Sequence, residues 1–375
     1  MQSVNRSFFV FNFSAVCLAF CLNGCIPFKS VFLGAPDKND IKRFKSSEIL
    51  AGNDCFEFQS DNSGIAERIK VNEWSSGSPY FVTLDELGAN HATRSLLIIK
   101  NDTLLYSYYG EGTEAQDLNA SYSVAKSFTS ALIGIAIDEG LIKSERDFAV
   151  NYLPELKDVR GAEQLRIQHL LNMTSGIKYK LKTDAVLYYG ADVTKTLKHI
   201  EFSSQPGTCQ EYLNINIQLL GLIIQKVSGK KPSEYLTDKI WKPIGMCSNA
   251  TWTVDKNGND LTYCCLGATA LDYAKFGRLY LNEGNWDGNQ IVSSNWVNKS
   301  VARDTTEGSS FGYNYAWHIG EGAYGDYMAD GLYKQHIYVH PSKQVIIVNL
   351  CNSENRLKSE RVRWRHVFRQ IVDQL

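Results

Sequence analysis

The sequence predicts an α/β layered domain in which an antiparallel sheet, built from both ends of the chain, is flanked by helices. Three observations carry this. Strand-like runs pair up as a hairpin near residues 94–110, and more strand-like runs fill the tail after residue 313. Between them the apolar residues recur at helical spacing. With 375 residues, 44% of them hydrophobic, the chain can bury a large core in one big domain or two intimate ones.

The elements follow in order. In "RSLLIIKNDTLLYSYYG" (94–110) two apolar runs flank the turn pair Asn101-Asp102, which predicts a β-hairpin. "SYSVAKSFTSALIGIAIDEG" (121–140) opens with Ser123 and runs into a long apolar helix. "LRIQHLLNMTSGI" (165–177) predicts a helix that stops at Ser175-Gly176, and "NINIQLLGLIIQKVSGK" (214–230) one that ends at Gly229. "ALDYAKFGRLYLNEG" (270–284) is amphipathic and expected to end at Gly284. "YNYAWHI", "YMADGLYKQHIYVHP" and "KQVIIVNLC" read as sheet. The basic "RVRWRHVFRQIVDQL" (361–375) reads as a last helix, with Val362, Val367 and Ile371 on the core and its charges solvated.

A formal net charge of -1 leaves no electrostatic footprint for nucleic acid. The first residues differ from the rest. Arg6 precedes an uncharged, Phe-rich run that ends in "LNGC" (22–25), the pattern of a secretory signal. That ending resembles the lipobox of bacterial lipoproteins, which implies a signal peptide over 1–24 and lipid on Cys25. An uncleaved anchor helix is the alternative. The expected organisation is therefore a signal (1–24), a lipid tether and N-terminal extension (25–75), and one main domain (76–375). The protein is expected to be exported as a cell-envelope lipoprotein, facing the periplasm from the outer membrane and held there by its lipid. Cys55, Cys209, Cys247, Cys264, Cys265 and Cys351 remain beyond Cys25. An even number permits disulfides of open connectivity. The adjacent pair Cys264-Cys265 is spaced wrongly for a zinc knuckle, and buried free thiols are the simplest reading.

No G-x-G-x-x-G follows a strand, and G-x-x-x-x-G-K-[ST], H-E-x-x-H and G-x-S-x-G are absent. Dinucleotide, P-loop, zincin and α/β-hydrolase readings fall with them. Ser123 and Lys126 remain, three residues apart on one helix face. A serine hydroxyl needs a base to become a nucleophile, and a lysine amine serves when burial or a second cation lowers its pKa. The helix start adds free N–H groups that favour developing negative charge.

Further stretches fall in a recognisable order: Tyr212-Leu-Asn214, "CCLGATALDYAKFG" (264–277) and "ADGLYKQHIYVHP" (329–341). Together with Ser123-Val-Ala-Lys126, they resemble the serine β-lactamase-like superfamily, in its class C β-lactamase and penicillin-binding esterase branch. Within it the likeness is to the 6-aminohexanoate-dimer (nylon oligomer) hydrolase group, over roughly residues 75–370. The resemblance implies a β-lactamase/transpeptidase-like fold, with a mostly helical subdomain beside the antiparallel sheet. It implies Ser123 as acylated nucleophile, Lys126 as its base, and Tyr212, as phenolate or sharing a proton with Lys126, as proton carrier. Asn214 would hold Lys126 or the substrate. Gly331 would let substrate approach the strand, and the N–H groups of Ser123 and Leu332 would form the oxyanion hole.

The sequence departs from the family where β-lactamases and DD-peptidases carry K-T-G. Here the triplet is Ala329-Asp330-Gly331, followed by Lys334-Gln335, so the lysine that grips a penicillin carboxylate is missing. Lys334 either substitutes for it or changes the local backbone. His169 is expected to be structural, His336 and His340 packed or exposed on the last strands, and no histidine triad is required. The expected activity is hydrolysis of small linear amides or esters through an acyl-enzyme, with no metal or organic cofactor. The alternatives are a DD-peptidase or β-lactamase, or an inactive lipoprotein that binds cell-envelope material.

Overall fold

The computed structural model describes residues 36–375, apart from 62, 74–79, 179–183, 185, 186, 190, 191, 198, 307 and 353–361. The expected signal segment and Cys25 lie outside the described residues. Among these residues an eight-stranded sheet forms the centre. Its strands in chain order are β1 (Gln59–Ser60), β2 (Thr93–Lys100), β3 (Thr103–Tyr109), β4 (Tyr313–Asn314), β5 (Trp317–Ile319), β6 (Tyr327–Gly331), β7 (Gln335–His340) and β8 (Val345–Cys351). They lie in the spatial order β4-β5-β6-β7-β8-β2-β3-β1. Neighbours are antiparallel except β1 with β3. The two ends of the chain meet where β8 pairs with β2, Ile347 opposite Ile98.

Successive side chains in a strand point to opposite faces, so a sheet covered on both sides needs apolar residues at nearly every position. Leu97, Ile99, Ile337, Val339, Ile346 and Val348 face one core. Leu96, Ile98, Tyr338, Val345 and Ile347 face a second. The first is closed by helices α2 (Ala125–Asp138), α3 (Asn214–Ser228) and α4 (Ala270–Leu281), with α4 lying directly on β7 and β8. The second is closed by α1 (Leu84–Asn90) and α5 (Trp364–Asp373). Thr83 and Glu86 form a reciprocal capping box at the start of α1.

The Asn101-Asp102 turn forms as expected: both residues are left-handed, φ 48° and 58°, the conformation a tight hairpin between twisted strands requires. Arg278 fixes it with two 2.7 Å bonds to the Asp102 carboxylate. Three expectations need correction. The helix after residue 166 spans only Ile167–Leu171, because Met173 turns left-handed (φ 59°) well before Ser175-Gly176. Helix α4 ends at Leu281 rather than running to Gly284. The basic residues of α5 are not all solvated: Arg369 makes two 2.8 Å bonds to the fully buried carboxylate of Asp326, and Arg365 reaches the same group. A buried carboxylate keeps its charge only with such partners.

The cysteines also depart from the free-thiol reading. Cys55 is bonded to Cys247 and Cys264 to its neighbour Cys265, while Cys209 and Cys351 are free. The first bridge ties the N-terminal segment down. Ser46–Ile49 is a strand there, paired with Ala250–Thr253 in a second sheet completed by Leu266–Ala268 and Asn119–Ala120.

Candidate active site

Ser123 sits on a single 3₁₀ turn, Tyr122–Val124, that runs straight into α2. The turn is held from behind. Ser121 exchanges bonds with Leu266, its N–H donating to the carbonyl at 2.7 Å and its hydroxyl accepting from the N–H at 3.0 Å. Tyr122 is left-handed (φ 43°), costly for an aromatic residue, and its ring is braced edge-on by Tyr333 at 5.2 Å.

Lys126 is 1% exposed, yet its ammonium group is not idle. Nζ donates to Ser123 Oγ at 2.8 Å and to the Tyr263 carbonyl at 2.8 Å. Burial presses its pKa down to about 7, against an opposing pull from the Asp184 charge. Burial thus favours the neutral amine near neutral pH, where an ordinary lysine is charged. The Tyr263 segment can come this close because α3 carries Gly221. A Cβ there would lie 2.3 Å from Thr262 Oγ1. Thr262 in turn bonds the Ile217 carbonyl, and its own carbonyl takes the Thr129 hydroxyl of α2.

Tyr212 closes the group, its ring 5.0 Å from Lys126 Nζ and edge-on to Tyr313 at 5.8 Å. Desolvation moves its phenol upward, partly countered by a hydrogen bond with Ser123. With 46% of the residue exposed, solvent tempers that rise without reversing it. The phenol is accordingly neutral at pH 7, which disfavours the phenolate form and leaves Lys126 as the group poised to accept a proton. Asn214, the first residue of α3, bonds Asp184 rather than Lys126.

The end of β6 completes the cleft. A Cβ on Gly331 would stand 2.5 Å from the Ser121 carbonyl and 3.2 Å from the Ser123 nitrogen, so only glycine lets the strand abut the serine. Leu332 begins the hairpin loop to β7 and is 44% exposed in the cleft. Among the described residues, neither the Ser123 nor the Leu332 N–H is spent on a backbone carbonyl. Ala329 is fully buried and offers no charge. Lys334, left-handed at φ 65°, is not among the residues lining the cavity, and its charge acts on Asp330 and Cys351. Asp330 is held by His336 at 3.4 Å and kept below the usual carboxylate range despite its burial. His169 accepts from the Arg166 N–H through Nδ1, and burial lowers it to about 4. His336 and His340 are both buried.

A cavity of about 380 Å³ opens beside Ser123. Tyr122, Tyr188, Tyr189, Tyr263, Cys264 and Leu332 form its walls, with Asp184 and Asn214 as polar points. Sequence reasoning missed Asp184, which no motif marks, and missed the N-terminal wall. Pro36 lines the cavity, Asp40 accepts from the Tyr188 hydroxyl at 2.6 Å, and Phe44 packs edge-on against Tyr188 and Tyr189. Among the described residues no cluster of His, Cys, Asp and Glu could hold a metal ion.

Comparison with known proteins bears on this cleft. The family model described as Beta-lactamase matches residues 83–371. A 6-aminohexanoate-dimer hydrolase from Paenarthrobacter ureafaciens is 26% identical over 292 residues, 69% of this chain and 72% of that protein. Protein flp from Staphylococcus aureus (strain MW2) is 35% identical over 167 residues, 40% of this chain and 33% of that one. Among solved structures, a Bacillus anthracis protein provisionally named 6-aminohexanoate-dimer hydrolase superposes with a TM-score of 0.79. It is 24% identical, and the match covers 88% of this chain and 90% of that one.

Proposed function

Since the chain belongs to the Beta-lactamase family of hydrolases, we propose that it cleaves small linear amides or esters through an acyl-enzyme on Ser123. One observation carries the reading: a buried lysine, pressed to about 7, donates at 2.8 Å to an accessible serine hydroxyl. In its neutral form Lys126 takes the Ser123 proton as Oγ attacks the acyl carbonyl. Charge growing on the carbonyl oxygen meets the N–H groups of Ser123 and Leu332, an arrangement commonly worth about 3–4 kcal/mol per donor. Tyr212, neutral and beside both groups, relays a proton to the departing amine or alcohol. Water then attacks the ester with the same groups in reverse.

The cleft supports a substrate without a carboxylate. Ala329 stands where a gripping lysine would be, and Asp184, which lines the cavity, is acidic. A DD-peptidase or β-lactamase would need a cation there. The test is intact-mass labelling with a fluorophosphonate and with a penicillin, side by side. Wild type should gain the phosphonyl mass and little penicilloyl mass, and Ser123→Ala neither. Phosphonylation that persists in Ser123→Ala sinks the assignment.

A further inference from the structure

The Tyr263 carbonyl that receives Lys126 belongs to a segment with an unusual constraint. The next two residues, Cys264 and Cys265, are bonded to each other through their sulfurs. The bond closes a ring on the peptide between them, and Cys265 sits left-handed at φ 69°, a conformation a non-glycine residue seldom keeps unaided. Every carbonyl along this stretch is committed. Thr262 takes the Thr129 hydroxyl and Tyr263 takes Lys126. Cys264 takes the Trp252 indole at 2.9 Å, and Cys265 takes the Thr253 N–H at 3.1 Å. Cys264 also lines the cavity beside Ser123. Cys264 is thus part of the cavity wall, and the bonded pair directly follows the residue whose carbonyl is the lysine's second acceptor.

We propose that the Cys264–Cys265 bond is a positioning device that holds the Tyr263 carbonyl on Lys126, so that acyl transfer falls on reduction by a dithiol and returns on oxidation. This rests on the acyl-enzyme reading above. In the reductive step the Sγ–Sγ bond breaks. The dithiol supplies two electrons and two protons, leaving two cysteine thiols and its own cyclic disulfide. The freed backbone no longer forces residue 265 left-handed, and Tyr263 can swing off the amine. Misplacement of about 1 Å in such a site costs up to ~100-fold in rate. The groups facing Lys126 are Ser123, Asp184, Tyr212, Tyr263 and, more distantly, His318. Loosening the wall admits water to the amine without altering those charges. The acid limb of the pH profile should then move upward, toward an ordinary lysine.

The experiment follows phosphonylation of Ser123 in the full-length protein before and after dithiol treatment, with alkylation and peptide mapping of the cysteines. The exposed Cys55–Cys247 bridge serves as internal control. The labelling rate, measured before any alkylation, should fall roughly ten- to a hundredfold in step with the fraction of Cys264 and Cys265 found alkylatable in a parallel sample, and recover on reoxidation of the unalkylated enzyme. The folded variant C264A/C265A should match the reduced enzyme, insensitive to dithiol and with the raised acid limb. If that variant does not fold, the titration of wild type still decides. A rate that follows Cys55 and Cys247, or ignores reduction once Cys264 is alkylatable, overturns the proposal while leaving the acyl-enzyme intact. An oxidised wild type that never labels at Ser123 overturns both.

Discussion

Lys126→Met separates what the lysine does for chemistry from what it costs the fold. A buried amine with a pKa of about 7, against an ordinary 10.5, is disfavoured as a cation by about 5 kcal/mol. The folded value lies below the unfolded one, so the unfolded chain binds more protons between pH 7 and 10.5. Stability should rise with pH across that window and be lowest, for this group, below pH 7. Methionine fills a similar volume without charge, but leaves the Tyr263 carbonyl without its donor, a loss of ~1–3 kcal/mol. The variant should therefore be about 2–4 kcal/mol more stable than wild type at pH 6, an advantage that shrinks toward pH 10. Its phosphonylation should be nearly abolished, whereas wild-type kcat/KM should drop about tenfold per pH unit below pH 7. Denaturant melts at several pH values, paired with labelling rates, read both effects. A Met variant no more stable than wild type at pH 6, with the same pH slope, would refute the buried neutral amine.

Two predictions concern the ends of the site and of the chain. A p-nitrophenyl ester should be turned over with kcat/KM roughly ten- to a hundredfold above nitrocefin, since one charge-assisted bond to the carboxylate is missing. Lys334→Ala should leave both rates close to wild type, and nitrocefin hydrolysis that is efficient and vanishes in that variant would show Lys334 gripping the carboxylate after all. At the N-terminus, Cys25→Ser should block lipidation and leave a longer, unprocessed precursor on a gel; normal processing of the variant would exclude the lipoprotein reading of "LNGC".

What was legible depended on how far apart the interacting residues lie in the chain. Ser123 and Lys126 are one helical turn apart, so their meeting follows from helix geometry alone. Asn101-Asp102 announces its own turn for the same reason, and the apolar runs of β2, β7 and β8 report a sheet covered on both faces. Lys126 and Tyr263 are 137 positions apart, and nothing near Tyr263 marks its carbonyl as a ligand, because backbone oxygens carry no sequence signature. Asp184 is a lone carboxylate in a stretch without a motif, noticed only when α3 brings Asn214 to it. The cysteines were misread because adjacency suggests two thiols in a core; the left-handed backbone at Cys265 that accompanies their bonding is a property of the folded segment. The same distance rule explains the N-terminal wall. Read locally, residues 36–60 are polar and broken by turns. Folded, they are pinned by Cys247, by the strand Ala250–Thr253 and by Tyr188, all far along the chain. That wall bears on function, because the lysine is a usable base only while its surroundings stay dry. The pairing of Ser123 with Lys126 can be read from four residues, but the burial that lowers the lysine's pKa depends on distant segments that close around it.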